Sequence, residues 1–219
     1  MHTLPYAGRV QQTESARAQL RDLIVAGAYA PGERLTETEV AQSLAMSRTP
    51  VREAFRALVS DGLVRSAGRG VQVVALDVEA LRHAYQVRAA LEALTAELAA
   101  RRQAQGRIAP ADLAALVDDA EQAGTATLAG EFAAAAGHSR RFHTRLAALA
   151  ANPVASAALD RLWDQIVVST RASLDPPGRP AHVNGQHREL LAAIREGRAA
   201  DAAAVARAHV LDTLGEGSD

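Results

Sequence analysis

The sequence predicts a mainly α-helical chain in two parts: an N-terminal set of three short helices closed by a β-hairpin, then an all-α bundle of about six longer helices. Three observations carry this. Hydrophobic residues make up 48% of the 219 residues but aromatics only 3%, and the excess is Ala and Leu, strong helix formers like the abundant Arg and Glu. Strand-like alternation around glycines is confined to one stretch, "LVRSAGRGVQVVAL". Turn punctuation cuts the rest at helical lengths: Gly27, Pro31 and Gly32, then Asp61-Gly62, Pro110, Asn152-Pro153 and the "DPPGRP" loop at 175–180.

The first helix is expected over 13–26, with Ala16, Leu20, Leu23 and Ile24 on one face. Thr36, with Glu39 three residues on, is a capping box that opens a second helix, whose Val40, Ala41 and Leu44 face inward. After a short "AMS" turn, Thr49 is the expected N-cap of a third helix with Pro50 at its first position. Val51, Ala54, Phe55, Leu58 and Val59 form its apolar stripe, and Arg52, Arg56 and Ser60 lie opposite. The hairpin has a glycine-bearing tip at Gly68 to Gly70. Three helices followed by a hairpin make a winged helix-turn-helix domain, expected over 10–75. Asp77 is a good N-cap for the first helix of a second domain, expected over 78–214. Its amphipathic segments run over 78–103, 110–123, 128–151, 153–174, 181–196 and 199–214.

No cysteine is present, so disulfides and thiolate metal sites are excluded. No signal-like N-terminus and no membrane-length apolar run occur, so the expectation is a cytoplasmic protein with no membrane partner. The formal net charge of −1 does not argue for nucleic acid. Residues 1–76, however, hold nine arginines against seven acids, and every basic residue of the chain is arginine.

The third helix is where that arginine matters. A major groove admits one helix, and arginine pairs bidentately with guanine O6 and N7. Arg48 just before the helix, Thr49 at its cap, and Arg52 and Arg56 on its exposed face are placed to read bases. Arg34 in the preceding turn, and Arg69 with Gly70 at the wing tip, are within reach of the backbone or minor groove. The stretch "PGERLTETEVAQSLAMSRTPVREAFRALVSDGLVRSAGRGVQV" resembles the N-terminal domain of GntR-family transcriptional regulators across most of residues 13–75. That resemblance implies that Arg48, Arg52 and the Gly70 wing touch DNA. It also implies a homodimer, whose two recognition helices call for a near-palindromic double-stranded operator.

In the second part, His143 shares a face with Leu146 and Ala150, His187 lies one turn before Leu190 and Leu191, and His209 one turn after Val205. Three inward-facing histidines on three helices suit one divalent ion, Zn²⁺ by default with Ni²⁺ or Mn²⁺ as alternatives. The landmarks "YQVRAALE", "FHTRLAALAANP", "QHRELLAAIREG" and "AHV" make residues 78–214 similar to the FCD effector domain of the FadR branch of that family. In its metal-binding members an Asp or Asn four residues before the first histidine supplies a fourth ligand. Here Ser139 stands at that position with His138 beside it, so water, a carboxylate effector or a displaced His138 must complete the sphere. Arg88 is either half of an i,i+4 ion pair with Glu92 or, as the resemblance implies, the arginine that holds an effector carboxylate.

The function expected is therefore a ligand-responsive DNA-binding regulator, a repressor released by a small carboxylate, and not an enzyme. The alternative is a three-histidine metalloenzyme fused to a DNA-binding domain, against which no carboxylate general base is expected beside His143 or His187. A purely scaffolding bundle is a third reading.

Overall fold

A computed structural model describes residues 4–170 and 182–214. Among them the chain forms helices α1 (Leu4–Ala26), α2 (Glu37–Ser43) and α3 (Arg48–Ser60), and strands β1 (Arg34–Thr36), β2 (Val64–Ala67) and β3 (Gly70–Val73). Six further helices follow: α4 (Val78–Ala104), α5 (Pro110–Leu128), α6 (Phe132–Leu149), α7 (Pro153–Thr170), α8 (His182–Arg195) and α9 (Ala199–Leu214). The expected end of the fourth bundle segment at 171–174 and the "DPPGRP" loop lie outside the described residues. No helix among those described is long and apolar enough to cross a membrane.

The chain divides into two compact units. One takes Met1–Leu81 with Trp163–Leu174, the other Arg82–Leu162 with Asp175–Asp219, so α7 contributes to both.

In the first unit, α1 begins at Leu4 rather than at Thr13. Ala7, Arg9, Gln11 and Gln12 favour helix, and one internal glycine, Gly8, weakens it by only about 1 kcal/mol without ending it. The capping box at Thr36 is complete: Thr36 Oγ1 accepts from the Glu39 N–H, and Glu39 Oε2 accepts from the Thr36 N–H at 3.2 Å. At α3 the expected start is corrected. Ser47 is the N-cap and makes no side-chain cap bond, so Thr49 and Pro50 already lie within the first turn. Proline is tolerated there because the first turn's N–H groups have no helical acceptor.

The α3 stripe buries Val51, Ala54, Phe55 and Leu58, but Val59 is 37% exposed at its margin. Leu20, Ile24, Val40, Val51, Leu58 and Val71 share one core with Val168 from α7. Further polar ties hold α7 to this unit. Arg21 donates to both oxygens of Asp164, at 2.5 and 2.9 Å, Gln165 Nε2 donates to the Asp61 carbonyl at 3.1 Å, and the Leu76 N–H donates to Ser169 Oγ.

The sheet has the order β1-β3-β2, antiparallel throughout. β1 is an addition to the expected hairpin. Its three residues are too few to show an alternation, and only pairing with β3 makes it a strand. The pairing sets Arg34 opposite Gln72 and Thr36 opposite Gly70.

The second unit has its own core, built around Phe142, Leu146, Leu116, Leu190 and Ile194, with alanines of α4 and α9 filling the remainder. Ala96 and Ala99 of α4 and Ala202 and Ala206 of α9 are all fully buried in it. Asp77 caps α4 as expected, accepting from the Ala80 N–H at 2.8 Å.

Candidate functional site

Two groups of polar residues stand out, one exposed and one buried. The exposed group lies on α3. Because Val51, Ala54, Phe55 and Leu58 anchor one face, Arg48, Thr49, Arg52 and Arg56 are presented on the other, all exposed. Arg34 on β1 and Arg69 in the turn between β2 and β3 are exposed as well. Gly70 has a different place from the one expected. It is the first residue of β3 rather than the wing tip, and a Cβ there would lie 2.1 Å from the Leu35 carbonyl oxygen. Its glycine is required by the close approach of β1.

Sequence reasoning missed Glu37, the first residue of α2. Its carboxylate accepts from Arg52 Nε and Nη2 at 2.7 and 2.8 Å and from Arg48 Nη2 at 2.9 Å. Hydrogen bonds from Arg52, then Arg48, hold its pKa at about 2. The Arg52–Glu37 contact is the two-point fork that a guanidinium also makes to a guanine edge or a phosphate. Arg56 donates to Glu53 at 2.8 Å, one turn away. Nothing in local spacing links position 37 to 48 and 52; the turn between α2 and α3, with Ala45 at φ +52°, brings them together.

The buried group lies in the second unit. One nitrogen from each of His143 (α6), His187 (α8) and His209 (α9) falls within 4.8 Å of the others, and all three residues are buried. The ring centroids of His187 and His209 are 4.5 Å apart, and His143 Nε2 lies 3.2 Å from His209 Nε2. The expected convergence of three helices on one point is present.

What orients these rings was not legible beforehand. Glu92 Oε2 lies 2.7 Å from His143 Nδ1, and Glu92 Oε1 accepts from Arg88 Nε at 2.6 Å. This corrects the expectation that no carboxylate stands beside His143: Glu92 reaches it from α4. It also shows the i,i+4 ion pair at Arg88, here fully buried rather than solvated, with the guanidinium 5.6 Å from the Tyr85 ring centroid. Burial alone would raise the Glu92 pKa. The charges of Arg88 and His143 outweigh it and hold the carboxyl well below the usual range.

On the other side, Gln186 Oε1 lies 3.1 Å from His209 Nδ1, while Gln186 Nε2 donates to Asp212 Oδ2. An amide oxygen only accepts, so His209 carries its proton on Nδ1 where it meets Gln186 Oε1. His209 Nε2 stands opposite His143 Nε2, an arrangement that suits a shared cation. Burial, and then the charge of His143 and His187, pushes the His209 pKa well below its usual value, favouring the neutral imidazole a metal requires. The donor set therefore fits a divalent ion of borderline softness.

Ser139 is buried one turn before His143 on α6. His138 is not part of the cluster: it contacts Arg141 and lines an open acidic cleft with Asp118, Glu121 and Glu131.

Comparison with known proteins puts each group within a matched domain. Residues 12–73 match the model of bacterial regulatory proteins of the gntR family, and residues 83–212 match the FCD domain. The chain is 37% identical over 147 residues, 66% of its length, to an HTH-type transcriptional regulator in an intergenic region of Agrobacterium vitis, and covers 82% of that protein. It is 35% identical over 79 residues, 36% of its length, to the gluconate operon transcriptional repressor of Bacillus subtilis, covering 32% of it. It spans 36% and 39% of the length of two other curated regulators that it matches. The solved structure of McbR/YncC from E. coli superposes with a TM-score of 0.74 at 24% identity, covering 94% of each chain, and so shares its fold. This chain belongs to the gntR family of bacterial regulatory proteins, with an FCD domain following its winged helix-turn-helix.

Proposed function

We propose that the chain is a cytoplasmic repressor, released from its operator by a small carboxylate bound in the C-terminal domain. Residues 10–75 read the DNA and residues 78–214 bind the effector and pair two copies. One observation carries the DNA reading: a helix with one face buried in its own core turns Arg48, Thr49, Arg52 and Arg56 outward together. Arg34 and Arg69 contribute contacts to the phosphate backbone, which position the domain without specifying sequence. Gly70 acts indirectly, by letting β1 close against β3 so that the wing keeps its shape. In a homodimer the two α3 helices enter successive major grooves of a near-palindrome.

In the effector domain, His143, His187 and His209 hold a divalent ion, Zn²⁺ by default, and the ion supplies a Lewis-acidic position open to an anionic ligand. The charge of the pocket supports a carboxylate as that ligand. Burial holds His209 toward its neutral form and Arg88 offsets Glu92, so a divalent ion would leave the cluster positive. Arg88 serves this pocket by its own charge and by holding Glu92 against His143. Ser139 supplies no charge, which leaves the remaining position to the effector or to water. The carboxylate must bind the DNA-free arrangement of the dimer more tightly than the DNA-bound one, since equal affinity would shift nothing. The relatives bear regulators' names, and nothing favours hydrolytic chemistry at Glu92, whose low pKa and pairing with Arg88 make it a weak base.

The test is a footprint of the purified, tag-free protein on the DNA flanking its own gene, with metal content measured on the same sample. Protection of a near-palindrome, lost on adding one of a panel of small carboxylates, is the expected result. Protection that no carboxylate alters would overturn the effector class, and no protection would overturn the DNA reading.

A further inference from the structure

The metal reading above explains three histidines but leaves Gln186 and Asp212 without a task. They lie on different helices, α8 and α9, and each has a specific place. Gln186 is the residue before His187, so it emerges from α8 about 100° around the axis from that ligand and meets the third one, His209. An amide in this position has two possible orientations. Only one gives its oxygen to His209, and the choice is made by its other end: Nε2 donates to Asp212, whose carboxylate cannot donate in return. With the amide so fixed, Oε1 stands 3.1 Å from His209 Nδ1. Asp212 in turn sits three residues after His209 on the same helix, so ligand and anchor move together.

We infer that Asp212 and Gln186 form an orienting relay that holds His209 in its Nδ1–H tautomer, with Nε2 turned to the three-histidine centre, and that they are positioning residues for the divalent ion. The inference rests on the metal reading and extends it to residues that do not touch the ion. The relay mirrors the one on the far side, where Arg88 fixes Glu92 and Glu92 meets His143 Nδ1. The two differ in charge. His143 is backed by an ionised carboxylate and His209 by a neutral amide, with the anionic group one step removed. A neutral partner orients an imidazole without drawing its proton away, so His209 remains a neutral ligand. Outer partners of this kind set metal affinity by fixing the ligand's tautomer and angle.

The experiment measures Zn²⁺ affinity by competition with a chromogenic chelator in the full-length protein, for the parent, Gln186→Met, Asp212→Asn and Glu189→Ala. Circular-dichroism melts of the metal-free proteins verify folding. Gln186→Met keeps the side-chain length and removes the acceptor, and should weaken Zn²⁺ binding by about 10- to 100-fold. Asp212→Asn, which permits the amide to turn over, should weaken it by less. Glu189→Ala, at an exposed position of α8, should match the parent. A parent that binds Zn²⁺ tightly, with Gln186→Met binding it equally, overturns the relay alone. A parent that binds no Zn²⁺ overturns the metal reading and the relay with it. Long-range ¹H–¹⁵N spectra of the Zn²⁺-loaded parent add a readout that does not depend on any variant folding. His209 should keep its proton on Nδ1, and coordination through Nδ1 would refute the relay.

Discussion

Glu37 and Glu92 are two carboxylates that each face an arginine, and the difference between them separates the two halves of the molecule. Glu37 lies beside Arg48 and Arg52, whose side chains are 61% and 47% exposed, while Glu92 and Arg88 are 2% and 3% exposed. Exposed pairs contribute about 0–1 kcal/mol, so the α3 arginines can leave Glu37 for a DNA partner at little expense. A buried pair behaves otherwise, because removing one partner strands a charge and costs about 3–5 kcal/mol. The N-terminal unit therefore keeps its charged groups exchangeable, while the C-terminal unit locks its own around a fixed point. One surface leaves its charges open to exchange, and the buried cluster holds its geometry.

Three variants break or sharpen this contrast, from the largest effect to the smallest. His143→Ala combined with His187→Ala should abolish tightly bound metal while the operator footprint of the effector-free protein persists. Elemental analysis and footprinting on one preparation check both, and metal content equal to the parent's would refute the site. Gly70→Val drives a side chain into the Leu35 carbonyl and should destabilise the N-terminal unit by about 3 kcal/mol, as forced overpacking does. Chemical denaturation reads this directly, and a stability equal to the parent's would show that β1 yields easily. Arg52→Ala should cost about 2 kcal/mol of operator binding and relax the preference at one base pair. Titration against a set of single-base operator variants measures it, and an unchanged profile would remove Arg52 from base reading.

Legibility in the sequence followed the same divide. The α3 arginines were visible because a helix that buries one stripe must expose the other, which is a local, periodic fact. The three histidines were visible for the complementary reason: each lies one turn from apolar residues on a buried face. Their convergence needed the packing of α6, α8 and α9. Glu92 was seen as half of an i,i+4 pair, but its second contact, to His143, spans 51 positions. Gln186 had no signal at all, since the half-buried residue beside a ligand looks like any other polar position. The N-cap of α3 was misplaced for a simpler reason: Ser47 and Thr49 are both acceptable caps, and proline fits any position of a first turn.

What the sequence by itself determined was the set of elements and which face of each turns inward. Periodicity, capping and turn residues act within a few positions, and hydrophobic burial then leaves each helix little freedom of rotation. What only the tertiary structure decided was which polar groups meet: Glu37 with Arg48 and Arg52, Glu92 with His143, Gln186 with His209, and Gly70 beneath Leu35. Such contacts depend on distances of a few ångströms between elements far apart in the chain, and no periodicity records those.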